Sequence, residues 1–244
     1  RLDCTKYPDQ TMCRAGCAVN IARCCCGIPG IVGDRLMTIR KGQDWGERVD
    51  TPTDLLVFSD DPSANAYLKE VYANGREPQS LAILKSNLAR AFGLNGATIG
   101  STTMLRTRLD LIEVSYVLIS SQTAKMNFVG NAIIRNSWLR GPITGVFNSS
   151  FIGNWDCAPR AHPNDSKLDV VSIDQSMNVR QRLTAKRLVK LGSHLPHPKI
   201  SYKQTENFKI DLQEPAHLFV DSIDLGMVRQ CDFRVISDAL SLYW

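Results

Sequence analysis

The 244-residue sequence contains no apolar run near the ~20 residues that a membrane-spanning helix requires. It has no Gly-x-Ser-x-Gly element and no Ser-His-Asp elbow, so hydrolase chemistry has no foothold. Internal repeats and low-complexity tracts are absent, which excludes repeat arrays. Glycine is thin where it would matter for phosphate. Between Met37 and Asn87 only Gly42, Gly46 and Gly75 occur, each isolated. Clustered glycines let consecutive backbone N–H groups close on phosphate oxygens, and no such loop is found there. Cysteine is scarce in the body of the chain. Six of the eight (Cys4, Cys13, Cys17, Cys24, Cys25, Cys26) fall in the first 26 residues. The other two, Cys157 and Cys231, are expected to be small buried apolar residues in strands, and two isolated cysteines fit a cytoplasmic protein.

What is present is ordinary globular composition, 43% hydrophobic and 22% charged. Lys and Arg number 29 against 24 Asp and Glu, a formal charge of +5. That balance permits contact with phosphate or an anionic membrane surface without demanding it. Residues 1–36 read as a Cys-rich leader outside the fold, with Met37 as the natural start of sensible patterning. Their thiolates would suffice for a metal, but no Cys-x-x-Cys pair is present. A metal site and disulfides stay open there. A secretory signal does not fit, because Asn20 and Arg23 interrupt the apolar stretch.

From residue 37 the pattern reads as α/β. Asp54–Phe58 is strand-like and leads into the helix-start signal Asp60-Asp61-Pro62. The spacing predicts a helix over Ala64–Tyr72, a strand at Ser80–Leu84 and a short helix over Asn87–Phe92. Beyond about residue 108 the character becomes β. Strands are expected at 109–120, 125–134, 142–151, 169–173, 207–212, 217–221 and 227–236, separated by turns such as Gly130-Asn131 and Gly153-Asn154. One helix interrupts near Asn178–Leu191, with Val179, Leu183 and Val189 on its apolar side. The expected organisation is a reduced α/β part at 37–107 and an antiparallel β-sandwich at 108–244.

Several segments, in order, resemble the bacterial diacylglycerol kinase-like lipid kinases, a superfamily shared with sphingosine kinases and NAD kinases. They are Ser86-Asn87-Leu88-Ala89-Arg90-Ala91-Phe92-Gly93, Arg108-Leu109-Asp110-Leu111 and Phe128-Val129-Gly130-Asn131-Ala132-Ile133, followed by Ala158 to Asp169 and Val220-Asp221-Ser222-Ile223. The resemblance implies a small, degenerate Rossmann-like part, then a β-sandwich, with a cleft between them. It implies ATP and Mg²⁺ as cofactors if the protein is active. The family's Gly-Gly-Asp-Gly-Thr phosphate loop is missing, and Ile223 stands where the family has Glu.

On that resemblance Asp221 is the expected catalytic carboxylate, with Asp224 as the substitute for the missing Glu. Asn87, Asn131 and Asn148 are expected in the nucleotide cleft, and Asp165 and Asp169 as metal ligands. The alternative for Asn164-Asp165-Ser166 is a turn bonding its own backbone. His162, His194 and His197 invite a zinc reading, but solvated or hydrogen-bonded loop histidines are the simpler one. From Asn178 to Lys203 seven cations face no acid. Arg180, Arg182, Lys186 and Arg187 are therefore expected to meet a phosphate or lipid headgroup, the alternative being a solvated helix face. Aromatics do not interleave with these cations, so nucleic acid is not expected as a partner. Three functions follow: a lipid- or phosphate-ligand-binding relative without phosphoryl transfer, an active ATP-dependent lipid kinase, and a subunit or homodimer whose partner completes the nucleotide loop. The first is preferred, in the cytoplasm and peripheral to the membrane if a lipid is bound.

Overall fold

Strand β1 (Glu47–Asp50) leads to β2 (Leu56–Asp60), which runs straight into helix α1 (Asp61–Ala73). The reason is local. Asp60 caps α1, its carboxylate accepting the Ser63 N–H at 3.0 Å, while Pro62 supplies a pre-set first-turn φ. Ala64, Leu68 and Val71 recur at helical spacing and are buried. Burial of Leu68 alone is worth roughly 1.5–3 kcal/mol. β3 (Leu81–Lys85) returns parallel to β2, and α2 (Asn87–Ala91) follows, capped by the Ser86 hydroxyl. The structure is a computed structural model that describes residues 46–94 and 96–244, so the leader at 1–36 lies outside the described residues.

The rest is mostly antiparallel sheet. β4 (Thr103–Leu118), β5 (Thr123–Phe128), β6 (Asn131–Arg135) and β7 (Ile143–Phe147) are followed by a small hairpin, β8 (Phe151–Ile152) and β9 (Trp155–Asp156). Then come β10 (Leu168–Ile173), helix α3 (Val179–Val189), β11 (Ile200–Thr205), β12 (Asn207–Val220) and β13 (Ile223–Tyr243). The order is β1-β4-β13-β12-β6-β7-β10-β11, with β5 beside β4 and the parallel β2–β3 pair joined to the end of β13. Among the described residues no helix is long and apolar enough to cross a membrane.

β4 and β13 tie the α/β end to the β-rich end, for their pairing runs from Leu118↔Val228 to Arg106↔Tyr243. β4 therefore passes unbroken through the expected boundary at 107/108. Its ladder with β13 is irregular between Ile236 and Leu240, where Asp238 has φ 52°. The buried Asp110 carboxylate sits at that irregularity. It accepts the Asp238 N–H at 2.9 Å and the Ser166 N–H at 2.7 Å. Two cores flank this point. One holds Leu68, Ile83, Leu109, Leu111 and Trp244, the other Ile112, Phe128, Leu218 and Phe233.

A third core lies between α3 and strands β6, β7 and β10, around Ile133, Phe147, Val171 and Ala185. Helix α3 departs from its expected phase. Its buried residues are Arg182 and Ala185, whereas Leu183 is 46% exposed. The guanidinium of Arg182 reaches the carbonyls of Met177, Gly141, Trp138 and Asp174. Loop carbonyls brought under the helix need donors, and that need overrides the apolar spacing.

Candidate functional site

The candidate site grows from the turn between β5 and β6. Val129, Gly130 and Asn131 are held there by three polar side chains. Asp221, at the turn from β12 to β13, accepts the Asn131 N–H at 2.6 Å and the Gly130 N–H at 3.1 Å. Asn65, buried on α1, donates its amide to Asp221 and accepts the Val129 N–H at 3.2 Å. Asn148 donates to the carbonyls of Asp110 at 2.8 Å and Val129 at 3.0 Å. Asp221 sits at φ 42° and Ser222 at φ 74°, a turn conformation that aims the carboxylate inward at some backbone cost.

Asp61 lies one helical turn before Asn65, on the same side of α1. It is buried, accepts the Asn87 N–H at 2.9 Å, and has its other carboxylate oxygen buried without a partner. Burial raises its pKa. Asp221 is pushed up to about 6, first by burial and then by the charge of Asp61, against the downward pull of its three donors. Asn87 in turn accepts the Gly153 N–H at 3.0 Å, so the network reaches the β8–β9 hairpin. The structure thus gathers Asp221, Asn131, Asn148 and Asn87, and adds Asp61 and Asn65.

Beside this network a cleft of about 270 Å³ opens between Asp60, Asp61, Lys85, Asn87 and Arg90. Its floor is the start of α1, a place where a helix ordinarily offers N–H groups to an anion. Here Pro62 has no N–H and the Ser63 N–H is taken by Asp60. Two carboxylates stand at the position a phosphate would need. Lys85 and Arg90 supply opposite charge at the rim, but the donor set at the floor does not fit a polyphosphate.

Asp224 does not join the network. It is exposed on β13 and bonds His217 Nδ1 at 3.0 Å and the Gly226 N–H at 2.8 Å. Asp165 accepts the Lys167 N–H at 3.0 Å, and buried Asp169 accepts the Tyr202 hydroxyl. Burial raises the pKa of both. Among the described residues no three His, Cys, Asp or Glu side chains are gathered as for a metal ion.

The second feature is apolar. A cavity of about 340 Å³ lies under α3, lined by Ile133, Ile143, Phe147, Val171 and Met177 with Leu183 and Trp138 at its edge. That volume falls within the range of small-molecule pockets. His194 and Cys157 also border it. Burial lowers the His194 pKa and pushes the Cys157 thiol up to about 12, so both are neutral at pH 7. Of the four cations expected at a headgroup, Arg180, Lys186 and Arg187 are exposed on α3 and Arg182 is buried.

Gly130 makes the network possible by size. A Cβ there would stand 2.2 Å from an Asp221 carboxylate oxygen that cannot retreat. Gly130→Ala is expected to cost about 2–3 kcal/mol through overpacking, read as a lower urea midpoint with an unchanged slope.

No family model matches the chain, and no curated protein matches it by sequence. Solved structures do. Two from Bacillus anthracis str. Sterne, named as diacylglycerol kinases, superpose with TM-scores of 0.54 and 0.55 at 10% and 11% identity. Each match covers 78% of this chain and 77% of the other. The chain has the fold of those bacterial proteins.

Proposed function

We propose that this chain is a lipid-binding relative of the diacylglycerol kinases that holds an apolar lipid tail under α3 and transfers no phosphate. The observation that carries the reading is the 340 Å³ cavity with its almost wholly apolar lining. Such a space gains by excluding water from a hydrocarbon chain. The acidic, proline-bearing start of α1 supports the second half, because it withholds from phosphate the N–H groups that a glycine loop offers. In this reading Asp221, Asn65 and Asn148 brace the β5–β6 turn.

A second reading, an ATP-dependent lipid kinase, draws on one observation. Asp221 is buried with a pKa near 6, which suits a general base for a lipid hydroxyl. The phosphates of ATP would then have to enter against the charge of Asp60 and Asp61, with Mg²⁺ standing between the two sets of oxygens.

Titration with a fluorescent fatty acid and with diacylglycerol tests the first reading. Saturable binding is expected. Ala185→Phe, which puts a ring into the cavity, is expected to weaken it by roughly tenfold or more, the equivalent of about two buried methylenes. Calorimetry with ATP and Mg²⁺ is expected to show no binding. Phosphorylation of diacylglycerol, abolished by Asp221→Asn, would establish the second reading instead.

A further inference from the structure

The exposed apolar side chains are unevenly placed. Nine large ones are exposed among the described residues. Five of them, Trp138, Leu139, Leu183, Leu188 and Leu191, lie on α3, just beyond its end, or on the loop before β7. Leu191 is 78% exposed. Isolated apolar residues on a surface are ordinary, but a set grouped on one helix and one loop marks an interaction surface.

Cations interleave with them. Arg180, Arg187 and Lys190 share the outward side of α3 with Leu183 and Leu191, and Arg140 follows Leu139. No Asp or Glu occurs from 136 to 155 or from 178 to 203. Trp138 and Trp155 meet edge to face at 6.2 Å, the Lys186 ammonium lies 5.3 Å from the Trp155 ring, and the Arg135 guanidinium 4.2 Å from that of Trp138. Tryptophan with basic neighbours and exposed leucines is the composition of an interfacial surface.

We infer that the outward face of α3 and the loop before β7 dock the protein onto an anionic bilayer. The leucines and Trp138 enter the headgroup boundary while Arg180, Arg187 and Lys190 meet lipid phosphates. A second copy of the chain is a poor occupant. An isologous contact would bring these unopposed cations face to face. Trp138, Leu139, Leu183 and Lys186 also border the apolar cavity, so docking turns its edge toward the lipid. The docking goes beyond the tail-binding reading and does not depend on it.

Co-sedimentation with vesicles tests this. The protein is expected to sediment with equal parts phosphatidylcholine and phosphatidylglycerol, to stay in solution with phosphatidylcholine alone, and to be released by salt. The triple variant Arg180→Gln/Arg187→Gln/Lys190→Gln is expected to bind roughly a hundredfold more weakly. Leu188→Ser/Leu191→Ser, at two exposed leucines that do not line the cavity, is expected to lose roughly tenfold or more. All replaced side chains are exposed, so thermal melts should match the parent. Ala185→Phe is expected to sediment normally, and the surface variants to keep fatty-acid uptake, which separates failure of docking from failure of the cavity. Three results would overturn the inference. They are no sedimentation of the parent with mixed vesicles, equal sedimentation of the parent and both surface variants, and a dimer in solution that Leu188→Ser/Leu191→Ser dissolves.

Discussion

Asp221→Ala is expected to lower the unfolding free energy by about 2–4 kcal/mol at pH 8, and by more at low pH. The Gly130 and Asn131 N–H groups and the Asn65 amide all lose their acceptor. Each buried donor left unpaired costs about 1–3 kcal/mol. Against this, the substitution removes a carboxylate that burial and Asp61 already disfavour as an anion. Because its folded pKa is raised from 3.8 to about 6, the folded state holds a proton between those pH values that the unfolded state has released. Its contribution is therefore fully present below pH 3.8 and falls as pH rises through about 6. Two pH units correspond to about 3 kcal/mol. The gap between parent and Asp221→Ala should widen by about that amount from pH 8 to pH 4, as read by urea unfolding at each pH. Asp221→Asn keeps an acceptor and has no proton to lose, so it should cost less and flatten the pH dependence. A gap that is independent of pH would mean that Asp221 is not the titrating group.

The same carboxylate shows how far sequence reading reaches. Asp221 was legible because its turn, Val220-Asp221-Ser222-Ile223, resembles a family motif. Its partners were not. Asp61 and Asn65 lie 160 and 156 residues away in sequence, and only the fold brings them to it. One local signal pointed their way. Asp60-Asp61-Pro62 marks a helix start, and Asn65 falls one turn after Asp61 on the same face. A buried asparagine on an apolar helix face needs a partner, which would have raised the question of what it meets.

Strands with an apolar side were legible for the same reason. Leu81–Lys85 and Leu168–Ile173 carry their burial in their composition. β11 did not announce itself, since Ser201-Tyr202-Lys203-Gln204-Thr205 is largely polar. Among the described residues β10 is its one partner strand, and an edge strand with one paired side can stay polar. The end of β13 was hidden by the irregularity at Asp238, which breaks the alternation before Leu240 and Leu242 return to the core.

Arg182 carries the other large effect. Read as sequence it is one of four cations on a basic helix. In the fold it is 5% exposed and holds the helix to its loops. Its Nε donates to the Met177 carbonyl at 2.9 Å, and its outer nitrogens reach Gly141 closely and Trp138 and Asp174 at 3.4 and 3.3 Å. Only the first two are strong by geometry. A hydrogen bond to a charged group contributes about 1.5–3 kcal/mol, so Arg182→Ala is expected to cost about 3–5 kcal/mol. In a domain of about 200 residues that is a fall of roughly 10 °C in melting temperature. Lysine should rescue little, because a single ammonium cannot span two carbonyls that the planar guanidinium bridges. The consequence extends to the cavity. Arg182 lines it, and Ala185 one turn on forms its roof. Freed from the loop before β7, α3 no longer fixes the cavity's shape, so fatty-acid affinity should fall with stability in Arg182→Ala and in Arg182→Lys. Arg180→Ala and Arg187→Ala, on the outward side, should leave both unchanged. If Arg182 instead served a headgroup like its neighbours, its removal would weaken vesicle binding at unchanged melting temperature.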